Sequence, residues 1–179
     1  MSQMRKSVVQ AALTACLGIA ASASLAHAVL EQPSAPAGSY YKGVIKVGHG
    51  CEGAATTSVT VLIPEGVVGV KPMPKAGWTL ATRKEKLATP YESHGKRIEE
   101  SVVAITWSGG NLPDAHYDEF VATMKLPDTP GKRWFKIEQL CTSGRNNWVE
   151  VPAAGQSRKD LKFPAAVLDV LPAEGGHKH

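Results

Sequence analysis

The sequence lacks the patterns that would place it among common enzymes or nucleic-acid-binding proteins. No basic run is interleaved with aromatic residues, and without Arg5 and Lys6 the 20 basic residues fall to 18, against 16 acidic ones. That balance does not suggest a nucleic-acid partner. The nearest match to a GxSxG nucleophile elbow is WSGG at Ser108, which lacks the pattern. Asp118 and Glu119 would point to opposite faces of a strand, so they cannot act as a carboxylate pair. We therefore expect no enzymatic activity.

The sequence also lacks a sustained helical stripe, and its best helical candidate, SRKDLKFPAAVLDVL, is interrupted by Pro164. Short segments of alternating or β-branched residues, separated by Gly and Pro, dominate instead. About seven strands in one domain predict an all-β sandwich of two sheets. The predicted strands are YYKGVIKV, SVTVLI, GWTLATR, RIEESVVAITW, YDEFVATMKL, RWFKIEQL and NNWVEV. IPEGVVGVKPMPKAGW predicts an irregular crossing between the sheets, and WSGGNLPDAHYDEF predicts a second long loop.

Residues 1–26 are typical of an export signal. Arg5 and Lys6 precede a short, Ala-rich apolar run that ends in small residues, with no flanking charge to stop transfer. We expect a periplasmic or secreted protein with no stable membrane span after processing. The remaining length suits one domain and not two, so we predict a single domain over residues 27–172 and a flexible tail over residues 173–179.

The cleavage position has three interpretations. Cleavage after Ala26 would release His27, whereas cleavage after Ala28 would release Val29, and both fit the small-x-small rule, which slightly favours the second. The third interpretation is lipidation at Cys16, but apolar residues follow this cysteine where a polar tether would be expected.

Cysteine is scarce, and its spacing agrees with export. Of three cysteines, Cys16 would leave with the signal, so Cys51 and Cys141 remain as a widely separated pair. Neither belongs to a CxxC motif, which argues against a cysteine metal site, and an oxidising compartment makes a disulfide the expected state. Closing a loop of 90 residues would stabilise the fold by about 4 kcal/mol in the chain-entropy model.

Six motifs occur in order along nearly all of the chain beyond the signal, and together they resemble the YcnI-like family of exported bacterial proteins. The motifs are HAVLEQ, PAGSYYKG, GHGCEG, VLIPEGVVGVKPMPKAGWTL, ITWSGGNLPDAHYDEF and NNWVEVPAAG. The resemblance implies an immunoglobulin-like or cupredoxin-like β-sandwich that binds a copper ion and takes part in copper handling. It also implies that the metal sits on the first residue of the mature chain, a histidine.

When HAVLEQ is aligned with the start of the family's mature sequence, His27 matches that histidine, which favours cleavage after Ala26. The chemistry is consistent with this placement. An N-terminal histidine offers Cu(II) its α-amine and its Nδ1, which close a chelate ring, and such nitrogen donors suit copper. One histidine makes only a bidentate site, so further ligands must come from the fold.

The resemblance implies a carboxylate and a tryptophan near the metal. Glu52 in GHGCEG is the best match for the carboxylate, with Glu31 and Glu65 as alternatives. A carboxylate would neutralise part of the cupric charge and complete a nitrogen and oxygen ligand set. Trp148 in NNWVEV is the best match for the tryptophan and would lie over the open face of the copper. Trp107 and Trp134 are the alternatives, and on sequence alone sandwich core is the commoner role for all three.

The other histidines have simpler interpretations. His49 is close enough in sequence to Glu52 to join a metal site, but a loop histidine beside a disulfide is the favoured interpretation. His94 and His116 lie in predicted loops without a spaced partner. His177 and His179 could take up copper weakly from a tail without preorganisation.

Three functions agree with these features. The favoured one is a periplasmic copper(II)-binding protein, a chaperone or storage module that passes copper to a transporter or another periplasmic copper protein. The second is a copper-dependent oxidase or oxygenase, which would need a second histidine. The third is a structural or interaction module in which metal is incidental.

Overall fold

The computed structural model describes residues 27–93 and 95–173, and these form eleven strands and one 3₁₀ turn, Arg158–Asp160. The predicted signal, Cys16, His94, His177 and His179 lie outside the described residues, so the predictions made for them stay predictions. The strands in chain order are β1 (Val29–Leu30), β2 (Ser34–Pro36), β3 (Tyr40–Val47), β4 (Thr56–Leu62), β5 (Val68–Pro72), β6 (Thr79–Ser93), β7 (Lys96–Leu112), β8 (Asp118–Lys125), β9 (Gly131–Cys141), β10 (Arg145–Trp148) and β11 (Ala166–Leu171).

The strands form two sheets. The smaller sheet has the order β1-β3-β8-β5, and the larger one has the order β2-β11-β9-β4-β7-β6, with β10 paired to β9. Every pairing is antiparallel except the one between β11 and β2. The predicted all-β, two-sheet sandwich is therefore confirmed. The described part of the chain contains no helix with the length and apolar character of a membrane span.

Alternate residues of the strands build the core. In β9, Phe135 and Ile137 are fully buried, while the residues between and after them are exposed, as the two-residue period of a strand requires. Across the core, the ring of Phe120 meets the ring of Trp107 edge-on at 5.5 Å and that of Trp78 at 5.0 Å. Burying each large apolar side chain stabilises the fold by about 1.5–3 kcal/mol.

Four of the observed strands, β1, β2, β5 and β11, were not predicted, and two of them lie in segments for which the sequence indicated other structure. The crossing IPEGVVGVKPMPKAGW does pass between the sheets, but it also contains β5, an edge strand of the smaller sheet. Pro72 can end β5 because an edge strand leaves one row of backbone groups unpaired. The stretch after Pro164 is not helical but forms β11. The proline therefore marks the entry to a strand.

The predicted loop WSGGNLPDAHYDEF is mostly strand. β7 continues through Leu112 and β8 begins at Asp118, so only residues 113–117 connect them. β6 and β7 also form a long hairpin of 15 and 17 residues, because β6 runs beyond the predicted GWTLATR as far as Ser93. Gly109 has a positive φ, and the register of β7 on β4 shifts at this point, between Ser108 and Leu112.

Candidate functional site

The predicted disulfide joins the loop between β3 and β4 to the end of β9. Cys51 and Cys141 are bonded with an S–S distance of 2.05 Å and a Cα–Cα distance of 5.9 Å. The prediction of a disulfide is thus confirmed. Because β3 belongs to the smaller sheet and β9 to the larger one, this covalent link fixes the two sheets to each other at one end of the sandwich.

The loop carrying Cys51 is compact. Cys51 and Ala54 exchange backbone hydrogen bonds of 3.0 and 2.9 Å around a two-residue turn. At the turn, Glu52 and Gly53 both have positive φ, 50° and 88°, as a type I′ turn requires. A Cβ at Gly50 would overlap the carbonyl oxygen of Ala54, so only glycine permits this close approach. The turn holds the preceding residues firmly in place.

The first strand brings His27 to this loop. Val29 pairs with Lys46 of β3, and continuing the same antiparallel register places His27 opposite Gly48. His49 is the next residue along the chain. The backbone pairing of β1 therefore brings the backbone of His27 close to that of His49, although 22 positions separate the two residues in the sequence.

Two imidazole rings flank one indole. The ring of His27 lies edge-on to Trp148 at 5.8 Å between centroids, and the ring of His49 lies edge-on to it at 5.9 Å. A third ring, Phe163, meets the same indole at 5.3 Å. Trp148 is only 3% exposed, whereas both histidines are half-buried. We call His27, His49 and Trp148 the histidine–indole cluster.

A buried amide holds the cluster in position. Gln139, which is 1% exposed, donates from Nε2 to the His49 carbonyl oxygen and to Thr56 Oγ1, both at 2.7 Å. Its Oε1 accepts from Trp148 Nε1 at 3.1 Å and from Asn146 Nδ2 at 3.2 Å. The indole can only donate and the carbonyl can only accept, so these partners fix the orientation of the amide. Gln139 thus connects the backbone of His49 to the ring of Trp148.

The loop also orients the His49 ring. His49 Nδ1 lies 2.6 Å from the Gly50 carbonyl oxygen, which can only accept, so Nδ1 carries the proton of the neutral ring and donates. The lone pair then belongs to Nε2. Asn146 Nδ2 donates to the same carbonyl at 3.2 Å, and Asp114 Oδ1 accepts from the Gly50 amide at 2.8 Å. The loop is therefore tied to both β10 and the segment between β7 and β8.

The three candidate glutamates lie in different places. Glu52 is exposed at the turn three residues after His49. Glu31 is exposed and pairs with Lys46 at 3.9 Å. Glu65 follows the far end of β4, about 20 Å along that strand from the end near Gln139. Of the three, Glu52 is nearest in sequence to the cluster, and its role as a ligand stays a prediction.

The candidate tryptophans are also separated by the structure. Trp107 is fully buried in the core and donates from Nε1 to the Met73 carbonyl oxygen at 3.0 Å. Trp134 lies in β9 opposite Val167 of β11 and is half-buried. Trp148 is the tryptophan whose ring contacts are with His27 and His49. His116, which was predicted to lie in a loop, is exposed in the segment between β7 and β8.

The donor chemistry of the cluster fits copper in part. Across residues 27–93 and 95–173, no three His, Cys, Asp or Glu side chains are grouped closely enough to hold a metal ion. The cluster does supply two imidazoles, which are suitable ligands for Cu(II). An α-amine at His27, if the chain is processed there, would supply a third nitrogen. Side chains alone are thus insufficient, but two imidazoles and an N-terminal amine are nitrogen donors of the type that this metal prefers.

Sequence reasoning gave His49 a lesser role and did not identify Gln139. The sequence did contain an indication of Gln139. It follows Phe135 and Ile137 at two-residue spacing, so it is a polar residue whose side chain lies on the buried face of β9. Buried polar groups must find partners, so such a position predicts a hydrogen-bond network. His49 and Trp148 stand 99 residues apart, and no sequence pattern signals their contact.

Comparisons with known proteins agree with this fold. The sequence profile of the family described as Domain of unknown function (DUF1775) matches residues 27–170. An uncharacterized protein from Nocardia farcinica, whose crystal structure reveals an immunoglobulin-like fold, is 26% identical, with a TM-score of 0.60 over 82% of this chain and 99% of that one. The immunoglobulin-like character of the sandwich is therefore supported by a solved structure.

A second solved structure, from Corynebacterium diphtheriae and provisionally described as membrane anchored, covers 83% of this chain and 35% of that one. It is 12% identical with a TM-score of 0.36, which is too low to carry an argument. No curated protein sequence matches the chain.

Proposed function

The chain belongs to the family described as DUF1775, and we propose that it is a YcnI-like copper(II)-binding protein of the periplasm, acting as a copper chaperone or storage module. In this proposal His27 is the first residue of the mature chain. It binds copper through its α-amine and its Nδ1, and the protein passes the ion to a transporter or to another periplasmic copper protein.

The observation that carries the proposal is the contact between His27 and Trp148. The resemblance to the YcnI-like family predicted a histidine and a tryptophan at the metal, from opposite ends of the sequence. In the fold their rings meet edge-on at 5.8 Å. The two residues are 121 positions apart in the sequence, so the fold brings together the two side chains that the resemblance had assigned to the metal.

Two further features support the proposal. The family profile begins its match at residue 27, which is the residue that the proposal places at the N-terminus. The Cys51–Cys141 disulfide suits an oxidising compartment such as the periplasm, and it also fixes the loop that holds His49 and Glu52. A rigid loop reduces the conformational entropy lost when a ligand is ordered.

The proposed roles follow from the chemistry of each group. His27 provides two nitrogen donors for Cu(II), and Glu52 provides a carboxylate that offsets part of its charge. Trp148 provides an apolar wall that limits water on one side of the ion, as the hydrophobic shells of metal sites do. Because few of the donors are side chains, the ion remains exchangeable, which suits transfer to a partner better than retention.

The experiment compares Cu(II) affinity for four forms of the chain in competition with a chromophoric chelator. The form beginning at His27 should bind one Cu(II). A form beginning at Ala26 moves the amine away from His27, and His27→Ala removes the imidazole, so each should bind about 100-fold more weakly. His116→Ala, which changes an exposed histidine, is the control and should bind like the parent. Equal affinity of all four forms would contradict the proposal.

One observation favours a second candidate, a copper-dependent oxidase or oxygenase. Such enzymes need a second imidazole, and His49 lies against the same indole as His27. Reductant-dependent peroxide production by the copper form would support this candidate, and we expect little or none. The alternative of an interaction module would be favoured if His27→Ala retained both its fold and partner binding.

A further inference from the structure

We infer that His49 is a second imidazole ligand of the metal, through Nε2, so that the site holds copper between two histidines. This inference rests on the proposed function. It goes beyond it because the resemblance pointed to a single histidine with a carboxylate and a tryptophan, and gave His49 no role.

The first support is position. His49 and His27 lie at similar distances, 5.9 and 5.8 Å, from the ring of Trp148, and both meet that ring edge-on. The register of β1 on β3 independently places His27 opposite Gly48, the neighbour of His49. A strand pairing thus brings the backbone of His27 close to that of His49, and an aromatic contact places each imidazole against the same indole.

The second support is the tautomer. His49 Nδ1 donates its proton to the Gly50 carbonyl oxygen at 2.6 Å, which leaves the lone pair on Nε2. Histidines that bind metals usually donate their other ring N–H to a carbonyl or a carboxylate, because this fixes the ring and raises the basicity of the ligating nitrogen. The His49 ring already has this arrangement.

The third support is the rigidity of the surroundings. Gln139 holds the His49 carbonyl oxygen at 2.7 Å, and Asn146 and Asp114 hold the two sides of Gly50 at 3.2 and 2.8 Å. The adjoining Cys51 is fixed by the disulfide. A ligand that is held before the metal arrives binds more tightly, since less conformational entropy is lost on binding.

The test uses the chain beginning at His27 with His177→Ala and His179→Ala, which remove the tail histidines as a source of adventitious copper. Cu(II) is added at one equivalent, and pulsed electron paramagnetic resonance counts the imidazoles that couple to the copper. We expect two in this parent chain and one in His49→Ala. We expect the affinity of His49→Ala for Cu(II) to fall by roughly 10- to 100-fold. Substituting residues that only hydrogen-bond to a metal ligand already lowers affinity by this much, so loss of a ligand should do so too. His116→Ala is the matched control and should keep two imidazoles.

The outcomes separate the two proposals. Tight binding with one imidazole in the parent chain, unchanged in His49→Ala, would overturn the role of His49 and leave the copper-binding function intact. No tight binding by the parent chain would overturn both. The count of imidazoles in the parent chain needs no substitution at His49, so the inference stays testable even if His49→Ala fails to fold.

Discussion

Two buried tryptophans occupy opposite kinds of environment in this sandwich. Trp107 is fully buried, its ring meets Phe120 at 5.5 Å, and its N–H donates to the backbone carbonyl of Met73. Trp148 is almost as deeply buried, but its ring meets two imidazoles and its N–H donates to the buried amide of Gln139. Burial alone therefore does not distinguish a structural tryptophan from one at a candidate site.

The difference lies in what surrounds each ring. A core tryptophan needs apolar contacts and one acceptor, and the backbone supplies that acceptor without further cost. The surroundings of Trp148 contain several buried polar side chains, which are costly unless each one is satisfied. Gln139 satisfies them with four hydrogen bonds. Such a network fixes ring positions closely, which a binding site requires and a core does not.

The largest expected effect is at Trp107. Trp107→Ala should lower the free energy of unfolding by about 5 kcal/mol, the upper part of the range for aromatic truncations, because the ring is fully buried. Urea denaturation followed by circular dichroism measures it. Trp134→Ala, at a half-buried position, is the control and should cost much less. A loss below about 1 kcal/mol at Trp107 would show that the core tolerates the cavity, contrary to close packing.

The disulfide is next. Cys51→Ser combined with Cys141→Ser should lower the free energy of unfolding by about 4 kcal/mol, because the bond closes a loop of 90 residues. The same pair of changes loosens the loop that carries His49, so metal affinity should fall together with stability. A variant that loses stability but binds Cu(II) as tightly as the parent would show that the cluster does not depend on this loop.

A smaller effect is expected at Gln139. Gln139→Leu keeps the volume but leaves the Trp148 N–H and the His49 carbonyl oxygen without this partner, which should cost about 3 kcal/mol. Glu138→Leu changes the exposed neighbour on the same strand and should stay within about 0.5 kcal/mol. Thermal unfolding of both variants measures the contrast. An equal loss of unfolding free energy in both variants would mean that the hydrogen bonds of Gln139 do not stabilise this end of the sandwich.

The smallest effect concerns Tyr41, a buried aromatic residue with a polar tip outside the cluster. Burial, with a further contribution from the charge of Glu31, raises the pKa of Tyr41 to about 12. The unfolded chain, with a tyrosine pKa near 10, loses this proton first. The contribution of protonated Tyr41 to the free energy of unfolding is therefore fully present below about pH 10 and is lost as the pH rises toward 12.

Phenolate absorbance during an alkaline titration tests this. Tyr41→Phe should remove the highest titration step and cost about 1 kcal/mol at neutral pH, the net value of the hydrogen bond from its hydroxyl to the Gln32 carbonyl at 2.7 Å. Tyr40→Phe, at an exposed position, should leave that step in place. If the highest step survived Tyr41→Phe, the assignment to Tyr41 would be wrong.

The sequence predicted most of the fold because alternation and β-branched residues report directly on strands. It did not predict β1, β2, β5 or β11. At β5 the reason is that Pro and Gly indicate irregular structure, and only the assembled sheet reveals that Pro72 ends an edge strand. The disulfide followed from cysteine count and compartment. These are local or compositional signals, and they are readable without the fold.

The candidate site was less predictable because its contacts are long-range. The position of His27 beside His49 depends on the register of a two-residue strand, and the contact of His49 with Trp148 depends on how two sheets meet. Neither of these can be predicted from the spacing of residues in the sequence. Of these residues, only Gln139 could have been identified from the sequence, because it is a polar residue at a position of β9 whose side chain, by alternation, points into the core.

The most direct test of the account is the intact mass of the exported protein under native conditions, with and without one equivalent of Cu(II). We expect a chain that begins at His27, lacks the two hydrogens lost to the Cys51–Cys141 disulfide, and retains one copper ion. A chain that begins at Val29 and retains no copper would contradict the central claim, because the N-terminal chelate could not form.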